Sequence, residues 1–199
     1  MRFTKLLAVA ALSVSSMTAF ASPISDAESF HLTDTDGLND NFFSLNLTGS
    51  TSNNSFGIYD FTQDSLGNVA VTSSLQIFSA PANPFDFVHI NFDLSAGTAT
   101  NSNGDVANID GSFGFYIENV NGTFYSHVDL NGGTDYLNVY SNSNGTLQLN
   151  WEDGLDNDSD FNDLVVLVDD VRVSEPGTLA LLGLGLAGLG FARRRQSAV

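Results

Sequence analysis

The chain has 199 residues, with 23 acidic side chains against 6 basic ones, a formal net charge of −17 at pH 7 and no cysteine. That charge excludes nucleic acid as a direct partner and disfavours an anionic lipid surface, because both repel it. The lack of cysteine excludes disulfide staples and thiol chemistry. The charge is also unevenly spread. Arg2, Lys5, Arg193, Arg194 and Arg195 sit at the two ends, every acid lies between Asp26 and Glu175, and Arg172 is the one base in the long middle. A compact domain so acidic repels itself unless counter-ions gather, which makes divalent cations natural partners; plain solubility is the simpler explanation.

The first 21 residues are predicted to be a signal peptide. Arg2 and Lys5 form a positive start, Leu6 to Val14 a short apolar stretch, and Ala19-Phe20-Ala21 a small-x-small site that places cleavage after Ala21. Residues 22–173 then have the length of one domain with a real core. Within its polar lead, Asp34, Asp36 and Asp40 around Gly37 suit a tight turn, with a small oxygen-rich loop as the alternative.

From there the pattern is β. Phe43, Leu45 and Leu47 alternate with polar residues, and the stretches 56–61 and 69–78 are strand-like. Phe85, Phe87, His89 and Asn91 share one face, opposite Asp86, Val88, Ile90 and Phe92. Further strands are predicted over 113–117, 124–128, 136–140, 147–151 and 164–173. Asn/Gly punctuators separate them, among them Asn103-Gly104, Asn121-Gly122 and Asn144-Gly145, which are hairpin signals. Short strands at this spacing predict an all-β, antiparallel sandwich or jelly roll. Phe56-Gly57-Ile58-Tyr59 resembles Phe113-Gly114-Phe115-Tyr116, as equivalent strands of two halves would, although four residues do not establish a repeat.

The densest acidic stretch runs from Trp151 to Val166. Glu152, Asp153, Asp156, Asp158, Asp160 and Asp163 supply the hard oxygen ligands that Ca2+ takes, and crowded acids repel one another without a cation. The spacing begins like an EF-hand loop and departs from it, with Phe161 where Gly is required and Leu167 where Glu is required. A loop-borne calcium site is the expectation, and a solvated acidic hairpin is the alternative. The stretch Trp151-Glu152-Asp153-Gly154, followed by Asp158-Ser159-Asp160-Phe161-Asn162-Asp163-Leu164-Val165-Val166, resembles the closing motif of a β-rich domain-of-unknown-function family common in exported bacterial proteins. That resemblance implies a β-rich surface module of a kind that can bind calcium, with no established catalytic activity.

No enzyme is predicted. His31, His89 and His127 have no metal-ligand spacing, and no Gly-x-Ser-x-Gly elbow, phosphate loop or cysteine nucleophile is present. Paired carboxylates serve glycosidases, but a polar acidic loop lacks the apolar surroundings that raise a carboxyl pKa. Polysaccharide binding is the better alternative, with Tyr59, Tyr116, Tyr125, Tyr136, Tyr140 and Trp151 available for stacking unless they are core.

The end of the chain has three ordered parts: a proline turn at Glu175-Pro176, an uncharged Leu/Gly-rich run from Gly177 to Ala192, and the cluster Arg193-Arg194-Arg195. As a helix the run covers about 24 Å, somewhat short of a bilayer core of about 30 Å. Its glycines suit a membrane helix better than a soluble one, and the arginines would stop it on the cytoplasmic side. Residues 174–199 are therefore predicted to hold a single C-terminal membrane helix. The Glu-Pro pair, apolar run and Arg cluster resemble the C-terminal sorting signal of the PEP-CTERM family, with Ser174 in place of the first proline. The resemblance implies recognition by an exosortase in the inner membrane and cleavage near Glu175-Pro176. Delivery to the cell surface, outer envelope or exopolysaccharide matrix would follow.

Overall fold

The computed structural model describes residues 27–33, 54–80, 87–154 and 159–174, residues 42–48 as backbone, and the single positions 24 and 186. The expected signal peptide and the tail beyond Ser174, including Ala21, Glu175, Pro176, Arg193, Arg194 and Arg195, lie outside these residues, as do Asp34, Asp36 and Asp40. No helix among the described residues is long and apolar enough to cross a membrane.

The strands are β1 (Phe30–Leu32), β2 (Phe42–Thr48), β3 (Ser55–Gln63), β4 (Val69–Phe78), β5 (Phe87–Asp93), β6 (Thr98–Thr100) and β7 (Val106–Asn108). They continue with β8 (Ser112–Asn119), β9 (Gly122–Tyr125), β10 (Leu137–Ser141), β11 (Leu147–Trp151), β12 (Leu164–Val168) and β13 (Val171–Val173). A 3-10 turn at Val128–Asn131 follows β9. All the pairings are antiparallel and form two sheets. One runs β13-β1-β8-β3-β4, with β9 also on β8, and the other runs β10-β11-β12-β2-β5-β6-β7.

The sheets face each other across one core. β10, β11 and β12 alternate strictly, so Leu137, Val139, Leu147, Leu149, Trp151, Leu164, Val166 and Val168 all point inward. They meet Phe30, Phe56, Ile58, Phe113, Phe115 and Ile117 of the opposite sheet. Phe92 of β5 stacks on Phe113 of β8 with ring centroids 5.5 Å apart, joining the two layers. Burying each such side chain contributes about 1.5–3 kcal/mol, so this layer is the main source of cohesion in a chain without disulfides.

Three departures from the sequence reading are informative. Residues 164–173 are two strands in different sheets, because Asp170 turns left-handed at φ 56° and carries the chain from β12 across to β13. Aspartate is one of the few non-glycine residues that tolerate that conformation. The strand expected over 124–128 ends at Tyr125 and gives way to the 3-10 turn. β1, β6 and β7, three residues each, were not expected at all, being too short for alternation to register.

The two similar tetrapeptides are neighbours. β3 and β8 pair with Gly57 opposite Tyr116, Ile58 opposite Phe115 and Tyr59 opposite Gly114. Each glycine thus makes room for the other strand's tyrosine. A methyl group at Gly57 would lie 2.5 Å from both the Leu75 carbonyl oxygen and the Tyr116 ring, and one at Gly114 would enter the Tyr59 ring. Gly114→Ala should destabilise the domain by about 1–3 kcal/mol, as overpacking does, and Gly57→Ala by more because backbone must move. Denaturant unfolding of the two variants checks both the loss and its order.

Candidate functional site: the closing acidic loop

The acidic stretch leaves β11 at Trp151 and returns at Leu164, which pair with each other and close the loop at its neck. The Asp163 amide donates to the Trp151 carbonyl at 3.2 Å, and the Glu152 amide to the Tyr136 carbonyl at 3.0 Å. Gly154, Ser159 and Phe161 all have positive φ, at 67°, 59° and 54°, so the backbone coils rather than extends here.

The acids in this loop divide by environment. Glu152 and Asp153 turn inward, 5% and 2% exposed. The Asn54 amide donates to the Asp153 carboxylate at 2.9 Å, and Asn119 donates to both the Asp153 carbonyl and the Asn54 side-chain oxygen, each at 2.9 Å. The Asp163 carboxylate accepts the Asp153 amide at 2.9 Å, and a Glu152 carboxylate oxygen lies 3.5 Å from the Phe161 amide. Asp160 is exposed and caps Asn162, accepting its backbone amide at 3.2 Å. Asp156 and Asp158 lie outside the described residues. Among the described residues no three carboxylates or imidazoles converge as a set of metal ligands. What the fold does tie together is Asp153 with Asp163, through the Asp153 amide, and Asp153 with a bracket of Asn54 and Asn119.

That bracket was invisible in the sequence. Asn54 and Asn119 lie 99 and 34 positions from Asp153, and asparagines in a chain so rich in them read as turn residues. Asn121 also reaches the Gly154 carbonyl, at 3.2 Å.

The three histidines sit apart, on β1, on β5 and after β9. His127 is enclosed on the outer side of β3 and β8, 2% exposed, with the Phe61 ring 4.3 Å from its own. Tyr59 Oη is 2.6 Å from its Nδ1 and Ser29 Oγ is 3.0 Å from its Nε2. Burial lowers the imidazole pKa to about 4, against the opposing pull of Asp129, and burial raises the Tyr59 phenol well above its usual value. Neutral His127 therefore hydrogen-bonds Tyr59 through Nδ1 and Ser29 through Nε2, one ring nitrogen donating and the other accepting. The enclosure of Tyr59 and Trp151, both 0% exposed, removes them from any stacking role, and Tyr116 at 6% follows them. Burial also pushes the Tyr116 phenol up to about 12.

The comparisons with known proteins bear on the chain's end. Residues 172–196 match the PEP-CTERM protein-sorting motif, beginning inside β13. Its recognition by an exosortase defines an exported class of protein, carried through the membrane to the cell surface. This chain carries a PEP-CTERM sorting motif at its end. No curated protein matches it. Among solved structures, a Ralstonia solanacearum high-affinity mannose-binding lectin aligns at 14% identity and a TM-score of 0.31, over 70% of this chain and 92% of that one. A likeness at that level carries no argument about fold or ligand.

Because His127 titrates lower folded than unfolded, the folded state binds fewer protons between about pH 6.5 and pH 4. Stability is therefore fully present above that window and falls as pH drops through it. His127→Gln, compared with the parent by thermal unfolding across this range, should show a shallower decline.

Proposed function

We propose that this chain is a non-enzymatic exported protein of the envelope or extracellular matrix, delivered by its C-terminal signal and working through a calcium-stabilised β-sandwich. The observation that carries the reading is the sorting motif at residues 172–196, joined directly to a β domain. Ser174, beside the Glu175-Pro176 pair, still donates its amide to the Ser29 carbonyl at 2.8 Å, so no linker separates the domain from its address.

The non-enzymatic part is supported by the setting of the histidines. His127 has hydroxyl neighbours, yet its ring is enclosed by Tyr59 and Phe61, and the pair it makes with Ser29 reads as a structural hydrogen bond. The calcium part is supported by charge. Glu152 and Asp153 are carboxylates taken out of water in a domain whose one cationic side chain, Arg172, stands on β13. Six acids so close together repel one another, and a divalent cation held among them would offset that repulsion. Carboxylates of Glu152, Asp153, Asp156, Asp158, Asp160 and Asp163, with backbone carbonyls of the coiled loop, are the kind of hard oxygen set that Ca2+ accepts.

Thermal unfolding of the exported protein with calcium, with magnesium and with a chelator tests the metal. At a calcium concentration about a hundredfold above Kd, the midpoint should rise by about 5–10 °C. The rise should disappear when Asp158 and Asp160 become Asn. Equal midpoints in all three solutions would make the loop solvated surface. Sorting is tested separately: removing residues 175–199 should abolish surface display, measured by antibody labelling of whole cells, and unchanged display would defeat that part.

A further inference from the structure

We propose that the outer face of the seven-stranded sheet binds an uncharged polysaccharide, with Phe87, His89, Asn91 and Thr100 forming the central subsite. The inference rests on reading the chain as an exported matrix protein, and it names the polymer class and the surface.

The first observation is the charge of this face. In a chain with 23 acids, Asp93, the last residue of β5, is the only charged residue on β2, β5, β6, β7, β10, β11 and β12. Its carboxylate is already occupied, accepting Ser95 and Ala96 backbone amides, each at 3.0 Å, in the following turn. The other sheet carries Asp60, Glu118 and Arg172 in its strands.

The second observation is what replaces charge. Cross-strand register sets Tyr140, Gln148 and Leu167 in one row over β10, β11 and β12. Asn138, Asn150 and Val165 make the next row, and the Gln148 amide donates to the Asn150 side-chain oxygen at 2.8 Å. Across β2, the β5 residues Phe87, His89 and Asn91 are exposed on the face opposite buried Ile90 and Phe92. Thr100 of β6 pairs with Asn91. The result is a sheet face of amides, hydroxyls and rings.

The third observation is a hollow of about 340 Å³ lined by His89, Asn91, Thr100 and Asn101. Asn101 is held in place by its amide, which donates to the Gln76 carbonyl at 2.8 Å and the Asp105 carboxylate at 3.0 Å. Beside the hollow, Phe87 is 57% exposed and stands edge-on to His89, with ring centroids 4.6 Å apart.

These features fit the chemistry of a neutral sugar. A pyranose ring offers an apolar C–H face and a rim of hydroxyls. The Phe87 ring covers the first, while amide and hydroxyl groups, which both donate and accept, match the second. An anionic polymer finds no cation here and meets the negative field of the whole domain. A smaller hollow on the other sheet, of about 100 Å³, includes Glu118 in its lining and lacks this neutrality. Strands about 4.8 Å apart make the face, from β10 to β6, about 24 Å wide, enough for a chain of several sugars rather than one.

Affinity electrophoresis of the exported protein through gels containing dextran, laminarin or galactomannan, with alginate as the anionic comparison, tests the proposal. At least one neutral polymer should retard the protein and alginate should not. Phe87→Ala and Asn91→Ala should each weaken the retardation about tenfold in apparent Kd, with thermal midpoints unchanged. Retardation by no neutral polymer, equal retardation by alginate, or variants that bind like the parent would overturn it. So would sedimentation showing that Phe87 instead holds two copies of the chain together. The gel reads binding alone, so its failure leaves sorting, which is read in cells, untouched.

Discussion

The reciprocal fit of Gly57 with Tyr116 and of Tyr59 with Gly114 is the constraint on which the rest of the domain depends. It brings β3 and β8 together with large rings on their outer side, where a plain sandwich would be wet. Those rings then require a cover. The Tyr125–His127 stretch and the Glu28 carbonyl supply it, with Tyr59 and Tyr125 edge to face at 5.1 Å and the Ser126 hydroxyl donating to Glu28 at 2.7 Å. β8 is consequently buried from Phe113 to Ile117 without a break, on both of its faces. The six-stranded sheet is thereby covered at Tyr59 and His127, while Phe87, His89 and Asn91 on the other sheet stay exposed.

The same closure anchors the ends of the domain. The cover places Ser29 against His127, and Ser29 in turn accepts the Ser174 amide, so β1 and β13 lie side by side. The last strand therefore reaches the sorting motif already folded. The separation of charge is physically sensible: acids crowd into loops, where water or cations screen them, while the strands of the seven-stranded sheet carry Asp93 alone.

Much of this was legible in the sequence, for local reasons. Alternation from Phe43 to Leu47, over 69–78 and over 147–151 marks β2, β4 and β11 because side chains project to opposite faces every residue. The placing of Phe87, His89 and Asn91 on one face follows from the same rule, and the exposed side of β5 bears it out, while Phe85 and Asp86 lie outside the described residues. The apolar run and arginine cluster announce the sorting signal because bilayer insertion depends on composition and order, both read directly from the chain. The six acids between Glu152 and Asp163 are likewise visible as a cluster. Which of them turns inward is not visible, since that depends on Asn54 and Asn119 arriving from other strands.

Sequence by itself, then, determined the export address, the all-β class and the acidity of the closing loop, because each rests on periodicity or composition within a short window. Tertiary structure alone decided four further things. These were the crossing of 164–173 between sheets, the enclosure of His127 and Trp151, the asparagine bracket, and the cover over the outer side of β3 and β8. Every one of them is a contact between residues far apart in the chain, selected by packing and by the need to satisfy buried polar groups. No local pattern encodes such contacts.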